Sequence, residues 1–291
     1  MPKISIITAS YNKEKYISQT IDSILNQTYT NWELIIVDDC SSDNSVEIIK
    51  SYSKKDERIK LYVNDVNKGL SETIKIAICK ISGDYIAFLE SDDCWVNTYL
   101  EKKLKYFEKF PDVKFIYNNL KLINMGNDND RIKILQKTQN DITRYWQKRN
   151  YPHYLNDILC FKNIILTFSC VMLKTELLKS CVFDCPKPAW TDWWLWIQCA
   201  NKTKIYCILK DLTHYRVHDT SFISNEYADE IKNLETKEKF FEGFYKFANP
   251  TLFSARIRFC CVKIMRKFKY KIQRSRLKVF LIPEKIKNSN T

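Results

Sequence analysis

The segment Ser23–Ser45, SILNQTYTNWELIIVDDCSSDNS, decides the fold. Its first residues close a helix predicted over Glu14–Asn26, with Ile17, Ile21, Ile24 and Leu25 on one face. WELIIVDD (Trp32–Asp39) then reads as a strand that runs straight into two carboxylates and a cluster of turn formers, CSSD.

The same alternation continues on both sides. Lys3–Ala9 reads as a buried strand before the helix. Downstream, the pattern predicts a helix over Ser45–Tyr52, a strand over Ile59–Val63 and a helix over Ser71–Ile81. A strand DYIAFL, a helix over Tyr99–Phe110 and a strand VKFIY follow. Strands alternating with helices at short intervals imply parallel βαβ units in a doubly wound sheet. Ligands of such sheets bind beyond the carboxyl ends of the strands. Three of those ends are polar or acidic, TASYN, DDCSSD and ESDD, and are expected on one edge. Beyond about residue 120 the alternation weakens. Residues 124–130 read as a polar loop, FSCVML and KIYCIL as strands, Asp192–Ala200 as a helix, and the chain from about Asn225 as helical, broken at Pro250 and Pro283.

Composition excludes several classes. The 291 residues are 45% hydrophobic, which supports a sizeable core. No run of 18 apolar residues exists, and the N-terminus enters a strand at once, so neither a membrane span nor a signal peptide is predicted. The eleven cysteines form no CxxC pair and read as reduced thiols of a cytoplasmic protein. With only four glycines and no GxGxxG or GxxxxGK[ST], the glycine-loop nucleotide sites are excluded. Of the net charge of +13, the stretch Ser254–Thr291 carries +11. The body is near neutral and lacks a nucleic-acid-binding motif, so the basic tail is expected either to lie on an anionic membrane surface, the inner face of the cytoplasmic membrane, or to pack on the domain as a solvated helix, and no nucleic acid is expected.

Three motifs carry candidate chemistry. In FLESDDCW (Phe88–Trp95), Glu90, Asp92 and Asp93 crowd the end of a strand. Carboxylates two apart can hold a hard divalent cation, which offsets their repulsion and neutralises a leaving diphosphate; one of them can instead cap the helix that follows. In PAWTDWWLWIQCA (Pro188–Ala200), Asp192 sits among four tryptophans. It is either a helix cap or a general base whose pKa is raised by apolar surroundings. In HYRVHDTSFIS, His214 and His218 flank Arg216, whose fork suits phosphate, while a neutral imidazole can join a metal's shell. Asp38 and Asp39 either start a turn or accept hydrogen bonds from a base or ribose.

Taken in order, ISIITASYN, the Ser23–Ser45 block, NKGLS, GDYIAFLESDD, TDWWLW and HYRVHDTSFIS resemble the family 2 glycosyltransferases over roughly residues 3–220. The resemblance implies the GT-A fold, a Rossmann-like, mostly parallel α/β sheet flanked by helices. Its catalytic domain would cover residues 1–222, with a nucleotide-binding half to about 120 and an acceptor half beyond, followed by a basic helical extension over 223–291. It implies inverting transfer from a nucleoside-diphosphate sugar, a UDP-sugar, to a hydroxyl of a glycan or lipid-linked glycan. Capsule, lipooligosaccharide or O-antigen synthesis in bacteria is the expected setting. Thr8, Ala9 and Tyr11 would contact the base, Asp39 with Asp38 the base or ribose, and Glu90 and Ser91 the nucleotide. Asp92 would ligate Mn²⁺ or Mg²⁺, with His218 and Asp93 as further candidates, and Asp192 would be the catalytic base. Glu90 replaces the usual Asp, and Lys75 is a partial stand-in for an Arg near the phosphates. Retaining or nucleotidyl transfer, or a binding protein without catalysis, are the alternatives.

Overall fold

The computed structural model describes residues 1–126, 129–218, 230–248, 256, 260 and 262–266. Strand β1 (Ile4–Ser10) leads through α1 (Ile17–Leu25) to β2 (Trp32–Asp38), then α2 (Ser45–Ser53) and β3 (Ile59–Val63). Helix α3 (Leu70–Ile78), β4 (Tyr85–Phe88), the two-residue β5 (Cys94–Trp95) and α4 (Tyr99–Lys109) follow. The second half holds β6 (Phe115–Asn124), α5 (Asn129–Gln147), α6 (Asn156–Leu159), β7 (Val171–Lys174), α7 (Thr175–Lys179), α8 (Thr191–Ala200), β8 (Ile205–Val217) and α9 (Glu230–Phe247).

The eight strands form one sheet in the order β3-β2-β1-β4-β7-β6-β8-β5. β1 pairs in parallel with β2 and β4, and β2 with β3. β7 enters antiparallel between β4 and β6, while β8 runs parallel to β6 and antiparallel to β5. Thus β7 and β5 run against the other six, and both halves of the chain share the sheet. The strand centres are aliphatic because helices cover them: Ile4, Ile6, Leu34, Ile35, Ile36 and Val37 are wholly buried. Each such side chain contributes about 1.5–3 kcal/mol. From α1, Ile17, Ile21 and Ile24 join this core.

The parallel register brings the strand ends to one edge. Ser10 lies beside Asp38, and Ile7 beside Phe88. Residues 11–13, 39–43 and 89–93 therefore gather there.

The second half departs from the sequence expectation. The expected loop over 124–130 gives way to α5 from Asn129. Its apolar period is broken at Gln139, whose amide instead donates to the Leu120 carbonyl, while Ile142 and Trp146 are buried. Strand β8 continues to Val217, past KIYCIL, through HYRV. Residues 168–170 of FSCVML form a 3₁₀ turn before β7. Of the helical stretch expected from about Asn225 to the end of the chain, much of which lies outside the described residues, α9 lays Phe240, Phe241 and Phe244 against Trp190 and Trp193 of the α8 region. Pro250 and Pro283 lie outside the described residues. Among the described residues no helix is long and apolar enough to cross a membrane.

Candidate active site

A cleft of about 660 Å³ opens over the gathered strand ends. Its wall includes Ala9, Tyr11, Lys13, Asp39, Glu90, Ser91, Asp92, Asp192 and Arg216. These come from β1, β2, β4, α8 and β8, so the sheet edge brings together groups nearly 210 residues apart in the chain.

The two β2 acids differ in role. Asp38 is fully buried and ties its own turn: Ser41 donates to it from its backbone N–H at 2.8 Å and from its hydroxyl at 2.7 Å. Asp39 faces the cleft and accepts from Asn64 Nδ2, the Lys68 amide and the Gly69 amide, each at 2.8 Å. Gly69 has φ of +81°, which lets its amide turn toward Asp39. The cleft meets Asp39 rather than Asp38.

The acids of ESDD separate into three environments. Asp93 is fully buried; Ser169 Oγ donates to it at 2.6 Å and the Arg216 amide at 3.0 Å. It does not cap α4, which starts after Thr98, and it does not line the cleft. Glu90 accepts the Thr167 hydroxyl, and its own amide donates to Ser169 Oγ at 2.9 Å. Asp92 Oδ2 accepts Lys13 Nζ at 2.6 Å and faces His218 Nε2 at 3.0 Å, and Tyr16 stacks on that imidazole with centroids 4.7 Å apart. Burial, then the charge of Asp92, pushes the Glu90 carboxyl well up. Burial, then Asp92 and Glu90, does the same to Asp93. For Asp92, burial opposes ionisation, but the His218 hydrogen bond and the Lys13 charge outweigh it and hold its carboxyl well below the usual range. The repulsion evident in the sequence is thus met by concentrating ionisation on Asp92 and placing the Lys13 ammonium beside it.

Asp192 stands in the first turn of α8. Asn163 Nδ2 donates to its Oδ2 at 2.7 Å, and the Trp193 amide to its Oδ1 at 2.6 Å. Burial raises its pKa to about 6, with those hydrogen bonds pulling the other way; the tryptophans on either side of it in the sequence do not line the cleft. A carboxyl so placed is ionised at neutral pH and still basic enough to take a proton.

Other expected contacts lie elsewhere. Thr8 is buried within the sheet and does not line the cleft. Lys75 pairs with Glu72 at 3.0 Å and Asp184 at 2.6 Å, away from the cleft wall, because its helix turns that face outward. The Arg216 guanidinium is spent on structure: it donates to the Asp92 carbonyl at 3.0 Å, to Gln19 at 2.5 Å and to Cys94 Sγ at 2.9 Å. His214 is not part of the wall. The cations that sequence reading missed are Lys13 and Arg131, the latter donating to the Tyr215 hydroxyl at 3.0 Å. Lys13 follows the YN of the first strand end, which is a usable signal; Arg131 lies on α5, which carried none.

Among the described residues no group of three or more His, Cys, Asp or Glu side chains forms a metal cage. Asp92 and His218 meet at one point and suit a cation that takes its remaining ligands from water and phosphate. The short Lys13 contact marks that point as a place built for positive charge.

The family model "Glycosyl transferase family 2" matches residues 5–182. The chain belongs to this family. It is 33% identical over 242 residues to UDP-Glc:alpha-D-GlcNAc-diphosphoundecaprenol beta-1,3-glucosyltransferase WfgD of Escherichia coli, covering 82% of this chain and 87% of WfgD. An uncharacterized glycosyltransferase of Haemophilus influenzae is 41% identical over 150 residues, covering 48% of this chain and 59% of its own length. TuaG of Bacillus subtilis, a putative teichuronic acid biosynthesis glycosyltransferase, is 44% identical over 105 residues, or 36% of this chain and 42% of TuaG. The chain thus spans about half the length of the latter two. The fold is similar to that of S. aureus TarS 1–349 in complex with UDP-GlcNAc, with a TM-score of 0.61 at 19% identity, covering 82% of this chain and 65% of that one. It is also similar to the mannosyltransferase PcManGT of Pyrobaculum calidifontis in complex with GDP-Man and Mn²⁺, with a TM-score of 0.56 at 14% identity, covering 84% and 64%. The family's GT-A architecture, a mixed sheet with flanking helices, is the one described above.

Proposed function

We propose that the protein is an inverting glycosyltransferase. It moves a sugar from a UDP-sugar to a hydroxyl of a lipid-linked glycan in bacterial surface-polysaccharide synthesis, in capsule, lipooligosaccharide or O-antigen. The observation that carries this reading is the placement of Asp192 and Asp92 on one cleft, one poised to accept a proton and the other firmly ionised.

Asp192 takes the proton of the acceptor hydroxyl as that oxygen attacks the anomeric carbon. Such a base contributes ~10²–10⁴-fold. The bond from the anomeric carbon to the diphosphate oxygen breaks on the opposite face, which inverts the centre. Ala9 and Tyr11 wall the nucleotide end, and Asp39 accepts hydrogen bonds there. Asp92 and His218 would hold Mn²⁺ or Mg²⁺, with Asp93 buried behind them; the cation supplies charge neutralisation for the leaving diphosphate. Lys13 and Arg131 face the same cleft and add positive charge. The acceptor class rests on WfgD, whose name specifies a diphosphoundecaprenol-linked sugar. Catalysis would occupy residues 1–222, with the nucleotide half to about 120.

The basic C-terminal stretch is assigned to an anionic membrane surface, where the lipid-linked acceptor resides. Part of it packs on the domain: Arg266 lies 4.0 Å from the Phe241 ring and Lys263 5.2 Å from that of Tyr245. Ile264 and Met265 beside them are 57% and 60% exposed. Co-sedimentation with phosphatidylglycerol vesicles, but not with phosphatidylcholine vesicles, is the expected result. Equal binding to neither would end that assignment.

The test of the activity uses UDP-glucose and UDP-GlcNAc with a synthetic GlcNAc-diphosphate-lipid acceptor, with and without Mn²⁺. The product's anomeric configuration is read by NMR. A β-linked product from an α-linked donor is expected, and retention of configuration overturns the reading.

A further inference from the structure

The segment between α6 and β7 passes under both walls of the cleft. Thr167 donates to Glu90, Ser169 donates to Asp93 at 2.6 Å, and Asn163 donates to Asp192 at 2.7 Å. The Asn163 amide has a defined direction. Its Oδ1 accepts the Ile165 backbone N–H at 3.1 Å, which leaves the NH₂ group facing Asp192. Reversing the amide would set NH₂ against the Ile165 N–H and a carbonyl against the carboxylate, so both contacts would turn repulsive.

We infer that Asn163 is a positioning residue for the base: its amide holds one oxygen of Asp192 and fixes the plane in which the carboxylate meets the acceptor hydroxyl. This rests on the reading of Asp192 as the base. Each carboxylate oxygen accepts two hydrogen bonds, so the bonds from Asn163 and Trp193 leave one lone pair on each for the substrate. The fixed neighbour also favours the ionised form, as the Trp193 amide does on the other oxygen. Among the described residues Asn163 is the side chain that donates to Asp192. The rings of Trp190 and Trp193 pack on Phe240, Phe241 and Phe244 of α9, and Thr191 bonds to Ser71 of α3 at 2.6 Å. Of the charged groups, Glu90 across the cleft disfavours a second negative charge; its own ionisation is opposed by Asp192. Lys187 stacks over Trp190 at 5.2 Å, Arg266 donates to the Phe161 carbonyl at 3.4 Å, and Lys162 is exposed.

The experiment titrates Asp192 directly. Protein labelled with ¹³C at the aspartate carboxyl is followed by NMR, with the Asp192 resonance assigned from its absence in Asp192→Asn. In Asn163→Ala the Asp192 pKa rises by about one unit or more, the order expected for losing a hydrogen bond to a charged group. The acid limb of kcat/KM, measured with UDP-glucose and the GlcNAc-diphosphate-lipid acceptor, moves up by the same amount. Asn163→Asp is the second variant. It keeps the size and the acceptor for the Ile165 N–H but exchanges the donor for a second carboxyl, so a side chain that faces Asp192 as closely as 2.7 Å predicts a larger upward displacement from the paired carboxyls. A resonance and a limb that stay in place in both variants overturn the inference. Asp192→Asn separates this from the underlying reading: full turnover in Asp192→Asn removes the base itself, whereas an inactive Asp192→Asn with unmoved Asn163 variants removes only the role of Asn163.

Discussion

Lys13 Nζ lies 2.6 Å from Asp92 Oδ2, the oxygen that also faces His218 Nε2 at 3.0 Å. The ammonium therefore stands where a divalent cation would draw its carboxylate ligand. Two unit charges near 4 Å exchange about 4 kcal/mol at an effective dielectric of 20, so an ammonium and a dication do not share such a point. Lys13→Met should tighten Mn²⁺ binding to the nucleotide-free protein by about 10-fold, a fraction of that energy. Electron paramagnetic resonance of free Mn²⁺ measures it. Unchanged or weaker binding means that lysine and metal do not compete.

Asp192 sets the expected pH dependence. Its folded pKa, raised to about 6 by burial, means that the carboxyl is protonated below that pH and cannot accept the acceptor's proton. Turnover should climb as pH rises through about 6. The same shift has a cost in stability: the raised pKa favours folding at low pH, and that contribution is lost as pH passes through the folded value. Asp192→Asn should lower kcat by ~10²–10⁴ at pH 7.5. The UDP-induced rise in Tm should remain, because in the proposed mechanism Asp192 acts on the acceptor hydroxyl and not on the donor. Loss of UDP binding together with turnover would instead make Asp192 a donor contact.

The parallel half of the fold was legible because its signal is local. Ile17, Ile21 and Ile24 repeat at helical spacing, and Leu34–Val37 is an unbroken apolar run that ends at Asp38, so the sequence alone places the strand ends and their acids on one edge. What the residues at that edge bond to was not legible. Lys75 and Arg216 carry the right charge for phosphates, but the faces of α3 and β8 direct them to Asp184 and Gln19. Asn163 and Thr167 sit in a segment without periodicity, and only the tertiary approach of that segment to β4 and α8 gives them their partners. Helix α5 escaped because Gln139 occupies one of its inward positions and satisfies a strand carbonyl there.

The seam between α9 and α8 depends on a missing side chain. A Cβ at Gly243 would lie 2.6 Å from Trp194 Cη2, so the helix can approach Trp194 only as glycine. Gly243→Val should push α9 off the tryptophans, with an overpacking cost of ~1–3 kcal/mol. Differential scanning fluorimetry should show a lower Tm for the variant. Because α9 also backs Trp193, next to the base, kcat should fall while the UDP-induced Tm shift persists. A Tm equal to wild type would show that the seam yields without strain.

Lys103 provides a second, independent handle on pH. It is wholly buried on α4 and donates to the carbonyls of Ile116 at 3.1 Å and Cys170 at 2.7 Å, with the Tyr99 ring 5.0 Å from its Nζ. These partners are two carbonyls and a ring, none of them an anion, and burial pulls its pKa down to about 7. Below that pH the folded protein must keep an ammonium out of water. Between about 7 and the unfolded value near 10.4 the unfolded chain binds a proton that the folded one does not, so stability gained from this group rises with pH across the window. Lys103→Met removes the titration. The Tm of wild type minus that of the variant should therefore increase steadily from pH 6 to pH 9.5, whatever its sign at the start. Parallel Tm curves across that range would mean that Lys103 keeps its proton in the fold, held by the two carbonyls and the ring strongly enough to offset its burial.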